Sequence, residues 1–199
     1  MSSKDDYSHS GFGNSGFSPS GFGNSGLGSV HIGASGIVPT STANMPVVLL
    51  GLLHAMRTNE SLDTFRLAMG VAQWEILVKF LQPFTMEAGQ VLIEEGARDN
   101  TVYLIESGTV NVYGNDGSGH RQIAMVGAGS CVGEGAFFSR APRNATVQAA
   151  NRCKLWSISP LRFTELSNRH APVALSFAMA LGAVMARRMN SGPKRMAIT

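Results

Sequence analysis

Charge is scarce in this chain. Among 199 residues, Asp, Glu, Lys and Arg make up 15%, and the net charge is +3. So slight a positive balance gives little of the field that holds a polyanion, and no nucleic acid is expected as a partner. The basic run near the C-terminus, Arg187-Arg188 and then Lys194-Arg195, reads as a solvated helix end whose cations complement the dipole. The two cysteines, Cys131 and Cys153, lack metal-ligand spacing, and free thiols in a cytoplasmic protein are expected. Five histidines are scattered, with only His120 in a β-type region, so a metal cluster is not expected either. No apolar h-region follows Met1-Ser2-Ser3-Lys4-Asp5-Asp6, so no signal peptide is expected. The longest nearly apolar run, Val173 to Ala186, falls short of the ~20 residues that span a bilayer, so no membrane span is expected. Neither a nucleophile–base pair nor a P-loop lysine stands out, and nothing argues for an enzyme.

What is present has an uneven layout. Residues 1–42 are dominated by Gly, Ser, Asn and Phe, and Ser-Gly-Phe-Gly-Asn-Ser-Gly occurs at 10–16 and again at 20–26. Ordering so much glycine and serine is costly, and a few phenylalanines bury too little to offset it, so a disordered tail is expected. It reads as a tether, with Phe12, Phe17 and Phe22 as weak contact points in the sharper reading. Residues 43–83 read as N-terminal helices. Val47 to Met56 is apolar behind Pro46 and should pack on the barrel or on a second subunit. A second helix is expected from near Asn59 or Ser61, with Leu62, Phe65, Met69, Ala72, Ile76 and Phe80 on one face. Pro83 should stop it. Trp74, off that stripe, reads as a packing anchor.

Hydrophobic residues make up 44% of the chain, enough for one sizeable core. Short β-type runs fill residues 84–159: Val91 to Glu94, Thr101 to Glu106, Thr109 to Tyr113, Gln122 to Val126, Ala145 to Ala149 and Lys154 to Ile158. Thr109 to Tyr113 alternates as a half-buried strand does. Gly114-Asn115-Asp116-Gly117 is a hairpin turn. Strands this short and evenly punctuated suggest a jelly roll or barrel. Residues 160–190 return to helical period, with one helix at Leu161 to Asn168 and another from Pro172 to about Met189. The second is apolar almost all round, so it needs two covering surfaces, and a homodimer through residues 172–189 is expected. Residues 191–199 read as a flexible tail. The fold class expected is α+β, an antiparallel jelly roll with flanking N- and C-terminal helices.

One stretch, residues 133–147, carries most of the chemistry. Gly133 and Gly135 flank Glu134, and Pro142-Arg143 leads into a β-type run. The glycines permit φ > 0 or a close approach of backbone to a ligand. A half-turn of helix at Gly135 to Ser139 would aim N–H groups at an anion. Arg143 can fork onto a phosphate, whereas ionised Glu134 only accepts and so suits a hydroxyl. A phosphate with an adjacent sugar hydroxyl is a nucleotide.

That stretch resembles the phosphate-binding cassette of cyclic nucleotide-binding domains, Gly-Glu-x-Ala-Leu followed by Pro-Arg-x-Ala-Thr. Leu92-Ile93-Glu94-Glu95-Gly96-Ala97 and Val102 to Gly108 resemble that family's glycine-punctuated strand pair, and the resemblance runs over roughly residues 65–190. It implies a jelly roll that holds sugar and phosphate, with C-terminal helices folding over the purine as a lid. It implies ribose contact at Glu134, phosphate contact at Arg143, and backbone contacts at Gly133, Gly135, Ala136 and Ala145, with Thr146 as a hydroxyl donor. Asn144 matches neither the Ala or Ser of cyclic-AMP binders nor the Thr of cyclic-GMP binders, and Gly135 replaces the usual Leu or Ile. Cyclic AMP is the favoured ligand and cyclic GMP the alternative. Phe177, Met179 and Ser176 are the base-capping candidates.

The function implied is that of a cyclic-nucleotide sensor signalling through a protein partner, without a DNA-binding domain. Two other classes remain in view: a structural module whose pocket has lost its ligand, and a cupin-type metal enzyme.

Overall fold

The structure is a computed structural model that describes residues 47–115 and 119–191. The expected tail over residues 1–42, hairpin residues Asp116 and Gly117, and residues 192–199 lie outside it. Among the described residues two four-stranded antiparallel sheets face each other. One has the order β1-β8-β3-β6, from β1 Gln82–Met86, β8 Cys153–Ile158, β3 Val102–Ser107 and β6 Cys131–Val132. The other has the order β2-β7-β4-β5, from β2 Val91–Ile93, β7 Thr146–Ala149, β4 Thr109–Asn115 and β5 His120–Gly127. With the helices described below this is the expected jelly roll of mixed α+β class.

Strand alternation divides the apolar residues between two cores. Ile105, Val110, Val112, Val132, Val147 and Leu155 pack in one cluster, between the sheets. Their neighbours Val102, Leu104, Trp156 and Ile158 belong to a second cluster, shared with the helices. The first sheet is thus apolar on both faces, because helices cover its outer one. Those helices are α1 Leu50–Thr58 behind a 3₁₀ turn at Val47–Leu49, α2 Val71–Val78, α4 Pro160–Arg169 and α5 Ala171–Asn190. Glycine at 51 lets α1 lie close to β3, since a Cβ there would collide with the Glu106 carboxylate. That carboxylate accepts from Trp156 Nε1 at 2.6 Å and from Lys154 Nζ at 2.8 Å. The apolar segment before residue 59 therefore packs on the roll, the first of its two expected surfaces.

The second N-terminal helix is much shorter than expected. Residues 59–70 are not helical: Thr64 pairs with Ser130 as an isolated bridge, and α2 occupies only Val71–Val78. Periodic apolar residues there serve an extended strap, with Phe65, Leu67 and Met69 buried and Leu62 left 57% exposed. Pro83 does not stop a helix. It sits in β1, paired with Trp156. Trp74 is wholly buried, as a packing anchor should be.

At the other end α4 begins as the sequence suggests. Ser159 Oγ accepts from Arg162 N, and Pro160 occupies the first turn, where its missing N–H costs nothing. In α5, Val173, Ala174, Phe177, Ala180, Leu181, Val184 and Arg188 form the buried stripe. This helix has 20 residues and is apolar enough to cross a membrane by length and composition. Its buried stripe is nevertheless packed into the helical core, as in the central helix of a globular protein.

Candidate functional site

The site lies where the start of α3 (Glu134–Ser139), the loop before β3 and the end of α5 converge. Gly133 precedes α3 with φ +90°, a left-handed conformation that glycine adopts without penalty. Close packing demands glycine as well: a Cβ at 133 would lie 2.6 Å from Thr101 O and 2.9 Å from Arg143 Nη1. Gly135 is different. It has no positive φ and is an ordinary buried member of α3.

Gly133, Glu134, Gly135, Ala136, Arg143 and Ala145 are all buried, Thr146 is half-buried and Asn144 is exposed. Arg143 is fixed by four donated hydrogen bonds. Nε and Nη2 reach the two oxygens of Asp99 at 3.2 and 2.5 Å, Nη2 also reaches Thr101 O at 2.7 Å, and Nη1 reaches Gly133 O at 3.0 Å. The backbone of the cassette is stitched to the glycine-punctuated segment: Gly96 N donates to Arg143 O, and Arg143 N to Ala97 O. Thr146 Oγ1 accepts from Glu95 N at 3.1 Å, so its hydroxyl joins β7 to that segment. The carboxyl of Asp99 is opposed by its partial burial, but the hydrogen bond and charge of Arg143 outweigh that and hold it below its ordinary value.

Glu134 is completely buried, and its Oε1 accepts from Arg188 Nη1 at 2.5 Å. Its other oxygen, Oε2, is buried without a hydrogen-bond partner among the described residues. An unpaired carboxylate oxygen away from water costs free energy, so a donor that reached it would be stabilised. Burial pushes the Glu134 carboxyl above its ordinary value in spite of Arg188. Burial also opposes the charge on Arg188, but Glu134, with Asp63 behind it, more than compensates and holds the guanidinium protonated.

Sequence reading missed three partners. Asp99 and the Thr101 carbonyl hold the Arg143 fork, and no spacing rule connects them to it. Arg188 was taken for a solvated helix end. It is instead 1% exposed and donates to Glu134, Asp63, Ser130 Oγ and the Cys131 carbonyl. Its position on the α5 stripe, four residues after Val184, was the readable signal: a cation there must meet a buried anion. Of the base-capping candidates, Phe177 is buried against Phe65 and Phe163, and Ser176 Oγ donates to Pro172 O. Met179 is 67% exposed. The helix meets Glu134 through Arg188, and Phe177 lies roughly 16 Å further back along its axis at 1.5 Å per residue. Among the described residues no group of three or more His, Cys, Asp or Glu side chains could hold a metal ion, the requirement of the cupin reading.

Comparison with known proteins places this geometry. Residues 83–170 match the model of the cyclic nucleotide-binding domain. The chain is 32% identical over 91 residues to the cAMP-dependent protein kinase regulatory subunit of Eremothecium gossypii, covering 46% of this chain and 19% of that protein. It is also 32% identical over 98 residues to a cGMP-dependent protein kinase of Plasmodium berghei, covering 47% of this chain and 11% of that one. It therefore spans only a small part of the length of these relatives. Among solved structures, a cyclic nucleotide-binding domain from Methylobacillus flagellatus aligns with a TM-score of 0.63 at 20% identity, over 71% of this chain and 78% of that one. The catabolite activator protein of Thermus thermophilus aligns at 0.54 and 22% identity, over 62% and 56%. These two likenesses are of fold. Together, the cassette motif, the two-sheet roll and the family-model match show a cyclic nucleotide-binding domain over residues 83–170 of this chain.

Proposed function

We propose that this chain is a sensor that binds cyclic AMP, or a closely related cyclic nucleotide, between the cassette and the end of α5, and signals through a protein partner. The observation that carries this is Glu134 Oε2, buried and lacking a donor, on the residue next to the Gly133 carbonyl that accepts from Arg143 Nη1. A ribose 2′-hydroxyl supplies the missing hydrogen bond. The cyclic phosphate then lies against Arg143, close to the backbone of Gly133, Gly135, Ala136 and Ala145. Asp99 and the two carbonyls already take four of the five Arg143 N–H groups, so the anion takes the remaining N–H or displaces Asp99 from the fork. Cyclic AMP is favoured because a similar relative is a cAMP-dependent kinase regulatory subunit. Cyclic GMP is the alternative, given the similarity to a cGMP-dependent kinase and the unmatched Asn144.

Titration calorimetry with cyclic AMP, cyclic GMP and cyclic dinucleotides tests this reading. Saturable heat with one cyclic mononucleotide, lost in Glu134→Gln, is expected. Flat heats with every ligand would leave the chain as a structural module.

The same reading includes a homodimer through residues 172–189. Leu175, Met179 and Met189 are 64, 67 and 68% exposed, and a Cβ at Gly182 would meet nothing within 4 Å. These residues recur at spacings of four, three and seven, a seam suited to the same helix of a second copy. Sedimentation of the parent and of Met179→Glu decides it: a dimer converted to monomer is expected.

A further inference from the structure

The strap between α1 and α2, residues 59–70, ends in contacts that the ligand site does not by itself require. Its backbone is stitched to the turn before β6: Phe65 N donates to Gly129 O at 2.8 Å, and Asn59 Nδ2 to Ala128 O at 2.8 Å. The last turn of α5 grips it from the other side, where Arg187 donates to Leu62 O at 2.8 Å and to Thr64 O at 2.6 Å. Asp63 lies between these grips. Its backbone carbonyl accepts from Ser130 Oγ, and its carboxylate accepts from Arg188 Nε at 3.3 Å. The same guanidinium donates through Nη1 to Glu134 Oε1. One planar cation thus bridges a carboxylate of the strap and the carboxylate of the site.

We propose that Asp63 is a positioning residue for the nucleotide site, acting through Arg188, and that the strap is thereby coupled to ligand binding with a positive sign. The inference rests on the reading of Glu134 as the hydroxyl acceptor. Glu134 accepts most strongly when ionised; burial opposes that charge, and the guanidinium held against Oε1 favours it. Asp63 takes Nε, Ser130 Oγ and the Cys131 carbonyl take Nη2, and Nη1 is left turned to Glu134. A docked strap therefore prepares the acceptor. By linkage, a ligand that draws on the acceptor must tighten the strap by the same factor. Asp63 reaches Glu134 only through Arg188, so any effect on affinity is indirect.

The experiment uses the full chain in two measurements. Calorimetry with cyclic AMP compares the parent, Asp63→Ala and Asp63→Glu. Amide hydrogen exchange over residues 59–67 is followed with and without cyclic AMP. The expected result is affinity weaker by about fivefold or more in Asp63→Ala, partial recovery in Asp63→Glu, and slower strap exchange on ligand addition in the parent only. Parent binding with unchanged affinity in Asp63→Ala, or strap exchange indifferent to ligand, overturns the proposal while leaving the function intact. If the parent takes up no cyclic nucleotide, the functional reading fails instead. The link then stands or falls on a double-mutant stability cycle of Asp63→Asn with Glu134→Gln: strict additivity refutes it, and a coupling sustains it.

Discussion

Replacing Arg188 by methionine isolates the energetics of the site from any ligand. The side chain of Glu134 is 0% exposed and that of Arg188 is 1% exposed, so the pair is fully dehydrated. Methionine roughly keeps the apolar stem of Arg188 and removes only its charge and donors. Glu134 is then buried without a counter-charge, and breaking such a pair from one side costs about 3–5 kcal/mol. For a protein of this size that is a fall in Tm of roughly 6–20 °C.

The loss also has a pH signature with a definite sign. Burial already raises the Glu134 carboxyl above its unfolded value of 4.5, and losing Arg188 raises it further. A group whose folded pKa is raised contributes stability that is fully present below the unfolded value and lost as pH rises through the folded one. The deficit of the variant should therefore be smallest near pH 4.5 and grow toward pH 8. Urea unfolding of parent and Arg188→Met at both pH values reads it directly. In the double variant with Glu134→Gln the fully buried carboxylate is gone too, and most of the loss should be recovered, short of what Asp63, 14% exposed, loses with its partner. A deficit that is the same at both pH values, or below about 1 kcal/mol at pH 8, refutes the assignment of Glu134 as a buried, charge-compensated acceptor.

Three further outcomes are expected. Arg143→Lys keeps a charge but not the fork, so cyclic-nucleotide affinity in calorimetry should fall about tenfold or more, by the worth of a charged hydrogen bond. Asp99→Asn removes a carboxylate held below its ordinary value, whose contribution is present above the unfolded pKa of 3.8 and lost as pH falls through the folded one. Its parent-minus-variant Tm difference should thus vanish in acid, and should stay small at neutral pH because the Asp99 side chain is 46% exposed. Gly133→Ala forces a φ of +90° on a residue with a Cβ and drives that Cβ onto Thr101 O and Arg143 Nη1. It should lower thermal stability by about 1–3 kcal/mol and displace the fork, seen as loss of nucleotide binding at a temperature where the variant is folded.

How much of this was readable from sequence depends on how local the information is. The strands of the roll are alternating runs bounded by turn residues, and six of the eight described here were placed. β1 was missed because Pro83 was read as a helix stop, although on an edge strand a proline forfeits no ladder bond to a second neighbour. β6 was missed because Cys131–Val132 is two residues long, too short to show a period. The strap misled for a subtler reason. Phe65, Leu67 and Met69 are spaced by two as well as falling partly on a helical stripe, and the alternation prevailed because the β6 turn offered backbone partners.

In the candidate site, Gly133, Glu134 and Arg143 could be nominated from sequence because one loop carries all three. Their partners could not, because Asp99, Asp63 and Arg188 come from three separate elements joined only by folding. Arg188 shows how such a residue can still be suspected. Cations in the last turn of a helix are ordinary, and its neighbour Arg187 fits that description. The stripe Val173, Phe177, Leu181, Val184 leads by steps of four, four, three and four to position 188, so this guanidinium enters the core whatever its solvation costs. Buried ion pairs seldom stabilise a fold more than apolar side chains of the same shape do. On the proposed reading, an arginine on a core stripe against a glutamate with one oxygen unsatisfied serves to hold a ligand acceptor in place, a role that stability alone does not require.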